Sequence, residues 1–220
     1  MGSLDYGIDP EFLKTLAGEL ADVHSTGVQM GIVIGGGNIF RGVAGSAQGM
    51  DRTTADHMGM LATVMNSLAL AGALEALNIP VQVQSAISMP RVAESFVRRQ
   101  AVRQLEEGRV VIFAAGTGNP FFTTDTAASL RAIEIGADML LKATKVDGVY
   151  DKDPVLHDDA VRYTSLNYDE VLAKKLRVMD ATAIALSREN NLPILVFSVL
   201  KKGSLLSVLQ DETLGTIIKE

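Results

Sequence analysis

Short apolar runs rich in β-branched residues alternate with longer segments of helical period. The runs Val28 to Ile34, Ile79 to Val83, Arg109 to Ala114, Asp138 to Ala143, Ile194 to Val199 and Thr216 to Lys219 are mostly too apolar for strands with one wet face. They predict strands buried on both faces. Asp9-Pro10-Glu11 is a helix start, with Asp as N-cap, Pro at the first position and an early acid. Phe12, Leu13, Leu16, Leu20 and Val23 then recur at helical spacing, and Gly27 ends the run. Asp56 to Leu77, Val92 to Glu107, Asp125 to Ile135, Tyr168 to Leu176 and Thr182 to Glu189 also read as helices. Alternation of this kind predicts an α/β fold, a three-layer sandwich around a mostly parallel central sheet. There is no repeat or linker, so residues 1–220 read as one domain. Thr144 to Thr164, with Gly, Asp-rich turns and Pro154, reads as a hairpin or flap. The first element is a helix preceded only by the Gly-rich segment Gly2 to Gly7, which reads as a flexible end. A βαβ fold ordinarily begins with a central strand, so the pattern lacks its first strand.

Composition narrows the chemistry. Of 220 residues, 47% are hydrophobic and 21% charged, the balance of a globular protein. The absence of cysteine removes disulfides, thiol nucleophiles and Cys-ligated metals. His24, His57 and His157 lie far apart and form no ligand spacing, so no metal site is expected from them. The net charge is −6 without a basic block, and Trp is absent, which argues against nucleic acid as a partner. Apolar stretches are broken by Gly, Asn or charge before membrane-spanning length, and the N-terminus has no signal-peptide pattern. A cytoplasmic α/β protein is the expected class.

Glycine-ended strands carry the candidate chemistry. Ile32-Val33-Ile34 runs into Gly35-Gly36-Gly37-Asn38, whose bare backbone can approach an oxyanion, with Arg41 as a planar clamp. A tight turn without ligand is an equally good account of this segment alone. Neither the P-loop nor the dinucleotide spacing fits, because position 40 is Phe40 and position 121 is Phe121. A second strand leads into Gly116-Thr117-Gly118-Asn119-Pro120-Phe121-Phe122-Thr123-Thr124-Asp125, with hydroxyls, an amide and two aromatic rings for a polar ring ligand. Capping is the commoner fate of Thr124 or Asp125 taken singly, and core packing that of Phe121 or Phe122. Asp56 can cap the following helix or grip a ribose diol, and sequence alone favours the cap. Met58, Met60 and Met65 read as packing or subunit contact. Lys142, Thr144, Tyr150 and Asp153 span a strand end and turn that can face phosphates, stack a ring or accept from an amine. A solvated charged turn is the favoured account of any one of them taken singly.

Together, GIDP at 7–10, VIGGGNIFRG at 33–42, DHMGMLATVMN at 56–66, AGTGNPFFTTDTAASLR at 115–131, LKATKVDGVYDKDP at 141–154, VMDATA at 178–183 and LPILVF at 192–197 resemble the bacterial-type UMP kinases (uridylate kinases) of the amino acid kinase superfamily. The resemblance runs in order along essentially the whole chain. It implies transfer of the ATP γ-phosphate to UMP, giving UDP and ADP in pyrimidine nucleotide biosynthesis, with Mg²⁺ accompanying ATP. It places Gly36, Asp56, Thr117, Gly118, Asn119, Pro120, Phe121, Phe122, Thr123 and Thr124 on UMP. Asp56 would hold ribose hydroxyls, and Asn119 and Thr124 the uracil edge. Gly37, Arg41, Thr144, Tyr150 and Asp153 fall on ATP positions, with Arg41 also reaching the acceptor phosphate. Asp125 resembles the organising carboxylate, Lys142 is the strand-end lysine, and Asp180 is a further candidate with helix capping as its competing role. Gly2, Ser3, Leu4, Asp5, Tyr6 and Gly7 match a segment linked to activation by GTP, with UTP as inhibitor and a homohexamer as the usual assembly.

The family begins with a lysine strand and a Ser-Gly-Glu turn that would precede Met1. The expectation is therefore a natural start further upstream, and weak or absent activity in the 220-residue chain, since losing such a donor lowers rates by roughly two to three orders of magnitude. Two other readings stay open. One is an amino acid kinase acting on a carboxylate or carbamate, against which GNPFFTTD counts. The other is a non-catalytic nucleotide- or oxyanion-binding storage protein on the same scaffold.

Overall fold

The computed structural model describes residues 6–40, 49–176 and 178–220. The chain divides into two compact units, residues 1–131 and 132–220.

In the first unit, Asp9 caps α1 (Pro10–His24), accepting from the Glu11 and Phe12 amides at 3.1 and 3.2 Å. Ala17, Leu20 and Val23 form its buried face. The strands are β1 (Gly31–Val33), β2 (Val81–Ser85), β3 (Glu94–Ser95) and β4 (Val110–Ala114). They form a parallel sheet in the order β1-β4-β2-β3. All five residues of β4 are buried, as its apolar run predicts. α2 (Arg52–Glu75) packs against α1, β2 and β4. By length and composition it could cross a membrane, contrary to the expectation that every apolar stretch is too broken. It serves instead as a core helix: Ala55, Leu70 and Leu74 have no exposed surface, and its buried Thr63 and Ser67 hydroxyls are hydrogen-bonded.

Two sequence-predicted bounds change. α2 begins at Arg52 rather than Asp56, because Asp51 accepts from the Thr54 amide and starts the helix there. The helix expected over Val92 to Glu107 is confined to α3 (Arg98–Glu106). Glu94 and Ser95 instead pair with Gln84 and Ser85 of β2, where sheet hydrogen bonds override local helical pattern.

The second unit carries β5 (Leu140–Thr144), β6 (Ser165–Leu166), β7 (Ile194–Ser198) and β8 (Thr216–Ile218), in the order β5-β7-β8-β6. Among these described strands, β7 and β8 pair antiparallel and the other pairs are parallel. The helices α4 (Thr124–Ile135), α5 (Tyr168–Ala173), α6 (Ala181–Glu189) and α7 (Ser204–Gln210) complete the chain. Alternation along β7 sorts two apolar clusters. Ile194 and Val196 pack with Leu166, Tyr168, Val171 and Ile184, while Leu195 and Phe197 pack with Val208 and Ile217. Both faces of this strand are therefore covered. The α/β class with mainly parallel strands holds, although the described strands group as two sheets of four rather than one. β1 and β5 lie at sheet edges, which leaves them partly exposed where burial on both faces is expected.

Phe197 is 1% exposed, so Phe197→Ala should cost ~3–5 kcal/mol in urea unfolding. A loss under ~1 kcal/mol would contradict this account of the core.

Candidate functional site

The glycine turn after β1 lies directly on α2. A Cβ on Gly36 would stand 2.7 Å from the Gly59 carbonyl oxygen and 2.8 Å from Ala62 Cβ. Backbone cannot retreat as a side chain can, so close packing by itself requires glycine there. The Ile39 and Phe40 amides both donate to the Gly36 carbonyl at 2.9 Å, closing the turn. Asn66 of α2 donates to the Gly35 carbonyl at 2.7 Å and pairs amide to amide with Asn38. Asn38 in turn accepts from the Gly7 amide and donates to the Gly7 carbonyl, each at 2.8 Å. Gly7 is thus tied down, which corrects the reading of this end of the segment as flexible; Tyr6 beside it is exposed. Gly2, Ser3, Leu4 and Asp5, and also Arg41, lie outside the described residues.

The turn after β4 is backbone-strained. Ala115 and Phe121 hold φ of +64° and +70°, beside Gly116 at +60° and Gly118 at +78°. Positive φ in a residue with a Cβ needs outside support. For Ala115 it comes from Thr63 of α2, whose hydroxyl accepts from the Ala115 amide at 2.8 Å and donates to the Met60 carbonyl at 2.7 Å. For Phe121 it comes from Asp56, which accepts from the Phe121 amide at 2.8 Å. Asp56 sits one turn inside α2, so Asp51, not Asp56, is the helix cap. Arg52 Nε lies 2.9 and 2.8 Å from the two Asp56 oxygens, and its guanidinium stands 5.6 Å from the Phe121 ring centroid.

The remaining loop residues follow the same frame. Thr117 and Asn119 exchange local hydrogen bonds that shape the loop. Thr123, rather than Thr124 or Asp125, supplies the hydroxyl at the start of α4, accepting from the Asp125 and Thr126 amides. The Thr124 hydroxyl, released from that task, faces Gly35. Phe121 and Phe122 are 68% and 50% exposed, which overturns core packing as their fate. Of the methionines, Met60 is buried while Met58 and Met65 are exposed.

These elements enclose a cleft of about 130 Å³ within the first unit. Gly36, Asp56, Thr117, Asn119, Phe122, Thr123 and Thr124 line it. Gly118, Pro120 and Phe121 share the loop without lining the cleft. Sequence reasoning missed Arg52, Gly59 and Thr63. Their one visible signal is the polar or small side chain interrupting an apolar helix, which only the packing partner explains.

In the second unit, Lys142 lies on β5 beside Val196, and Thr144 closes the strand by bonding the Val146 backbone. The Tyr150 hydroxyl donates to Asp147 at 2.6 Å; this bond, burial and the carboxylate charge raise its pKa above the ordinary value. Asp153 accepts from the Val155 amide at 2.9 Å. An antiparallel bridge between Tyr150 and Arg162 gives Thr144 to Thr164 its expected hairpin character. Asp180 accepts from the Ala183 amide and caps α6, the competing role foreseen for it. Gly37 stands in the glycine turn of the first unit.

Residues 3–198 match the amino acid kinase family. The chain belongs to that family. Among family members, the uridylate kinases of Xanthomonas oryzae pv. oryzae and Xanthomonas euvesicatoria pv. vesicatoria are each 59% identical over 219 residues, covering 100% of this chain and 91% of theirs. The crystal structure of UMP kinase from Bacillus anthracis superposes with a TM-score of 0.95 at 39% identity, over 99% of this chain and 90% of that one. UMP kinase from Ureaplasma parvum gives 0.91 at 37% identity, over 100% and 95%.

Thr63→Val keeps the shape of the side chain and removes the acceptor for the buried Ala115 amide. It should destabilise the chain by ~1–3 kcal/mol in denaturant unfolding; a neutral substitution would contradict the bridging role. The Thr54 amide and hydroxyl hold the Asp51 carboxyl below its ordinary 3.8. A group depressed in the folded state contributes above its unfolded pKa and loses that contribution as pH falls through the folded one. Asp51→Ala should therefore lower the melting temperature at pH 7, and the difference should shrink progressively as pH falls below 3.8 toward the depressed folded value. A difference independent of pH would contradict the cap.

Proposed function

We propose that this amino acid kinase domain, residues 1–220, is a UMP kinase. It transfers the γ-phosphoryl group of ATP to UMP: a UMP phosphate oxygen forms the new P–O bond, the bond to the ADP leaving oxygen breaks, and UDP and ADP result. The observation that carries the reading is the first-unit cleft, where a glycine turn, a helix carboxylate and a Thr/Asn loop converge. Its support is the high identity to uridylate kinases along the whole chain. Relatives this similar do not favour a storage role or a carboxylate substrate.

The cleft chemistry suits a pyrimidine ribonucleotide. Asp56 accepts from ribose hydroxyls, and Asn119 and Thr124 offer donors and acceptors to the uracil edge. Phe122 supplies a partly exposed ring. Backbone amides of the glycine turn, with Arg41, are assigned to phosphate oxygens. Gly37, Thr144, Tyr150 and Asp153 are the ATP candidates, and Lys142 and Asp125 are candidates for handling the transferred charge. Asp180 enters through its cap on α6. Phosphoryl transfer needs positioning and electrostatics rather than a nucleophilic side chain, so a chain without cysteine suffices.

Mg²⁺ is held mainly by phosphate oxygens with one or two carboxylates. No group of three His, Cys, Asp or Glu stands together among the described residues, and a phosphate-borne ion with Asp125 nearby fits that donor set. When bound, it supplies charge neutralisation on the phosphates.

A homohexamer, GTP activation, UTP inhibition and a cytoplasmic setting belong to the same proposal. Exposed Met58, Leu61, Met65 and Leu68 recur along one face of α2 and offer apolar contact surface. The Gly7–Asn38–Asn66 hydrogen bonds join the GTP-linked segment to the glycine turn.

A panel of UMP, CMP, carbamate, acetylglutamate and aspartate with ATP tests the reading. ADP release should occur with UMP at least ~100-fold faster than with the carboxylates and carbamate, and Asp125→Asn should lower kcat by ~10²–10³. Preferential turnover of a carboxylate or carbamate would contradict it.

A further inference from the structure

We propose that Arg52 is a positioning residue that sets ribose recognition by aiming the Asp56 carboxylate, an inference that rests on the UMP reading of the cleft. Arg52 is the first residue of α2, where the exposed amides make a cation unfavourable. Its pairing with Asp56 also runs cation before anion, the weaker order for an i,i+4 helix pair. Local helix stability therefore does not explain an arginine here.

The geometry gives it another task. The single Nε–H lies between both Asp56 oxygens, at 2.9 and 2.8 Å, and fixes the plane of the carboxylate. The Phe121 amide occupies a second site on Oδ2. A carboxylate offers about four lone-pair positions. With Arg52 and Phe121 in place, the outward side of Oδ1 remains for an incoming hydroxyl. The carboxylate is 13% exposed and Asp56 lines the cleft, so such a hydroxyl arrives from the cleft side. The guanidinium also stands over the Phe121 ring, so one side chain holds both the carboxylate and the strained residue it anchors. Without Arg52, Asp56 can turn and the hydroxyl contact loses its direction. Lysine keeps the charge but not the planar, directed N–H.

Calorimetry with UMP and dUMP, on the wild-type chain and on Arg52→Ala and Arg52→Lys, tests the inference. The wild type should prefer UMP. Arg52→Ala should weaken UMP binding roughly tenfold while dUMP changes much less, so that the UMP/dUMP ratio collapses. Arg52→Lys should restore only part of the ratio. Lys174→Ala, which removes an exposed i,i+4 pair elsewhere, should leave the ratio unchanged. Equal weakening of both nucleotides in Arg52→Ala, or an unchanged ratio in a variant that melts like wild type, overturns the Arg52 role alone. Because Arg52→Lys keeps the charge, its ratio decides the matter if Arg52→Ala fails to fold: full wild-type discrimination overturns the directed role. A wild-type chain that binds neither nucleotide overturns the UMP reading, and the Arg52 inference with it.

Discussion

The contact between Gly36 and α2 is the constraint on which the cleft depends. Because no side chain separates the turn from the helix, the backbone after β1 packs directly on Gly59, Ala62 and Thr63 and comes within reach of Asn66. The same helix then reaches the loop after β4 through Thr63 and Asp56. One helix thereby fixes two glycine-containing turns and sets the width between them. A larger residue at position 36 would push the turn away from α2 and open the cleft that both loops define.

This arrangement places conformational strain where ligand groups are needed. Ala115 and Phe121 occupy backbone regions that disfavour a Cβ, and each donates its amide to a side chain of α2. The strained loop presents Thr117, Asn119, Phe122, Thr123 and Thr124 to the cleft. Burial of Thr63 raises the cost of leaving its partner unpaired, so the support is firm where the loop is weakest.

Most of the architecture was legible in the chain. Buried β4 and β7 follow from uninterrupted apolar runs, and α1 from its Asp-Pro start. The bounds that shifted depend on contacts no local pattern carries. Glu94 and Ser95 leave a helical stretch because β2 offers a free edge. Asp51 displaces Asp56 as cap because Thr54 meets it with two donors. The candidate acceptor residues were visible as motifs, and seven of them line one cleft. The residues that hold them, Thr63, Arg52 and Gly59, were not visible, because a hydroxyl, a cation and a glycine in a helix declare no partner until the fold supplies one. Capping also proved a poor guide to single residues. It falls on Thr123 and Asp51 and leaves Thr124 and Asp56 for the cleft.

The central claim is that α2 and the loops after β1 and β4 form a pyrimidine nucleotide cleft within the first unit. Backbone amide NMR of the chain during titration with UMP tests it most directly. The account predicts saturable shifts at Gly36, Thr117, Asn119, Phe121 and Thr124, with Tyr150 and Asp153 unmoved by UMP alone. Shifts centred on Tyr150 and Asp153, with the amides of Gly36 and Phe121 unchanged at saturating UMP, would contradict it.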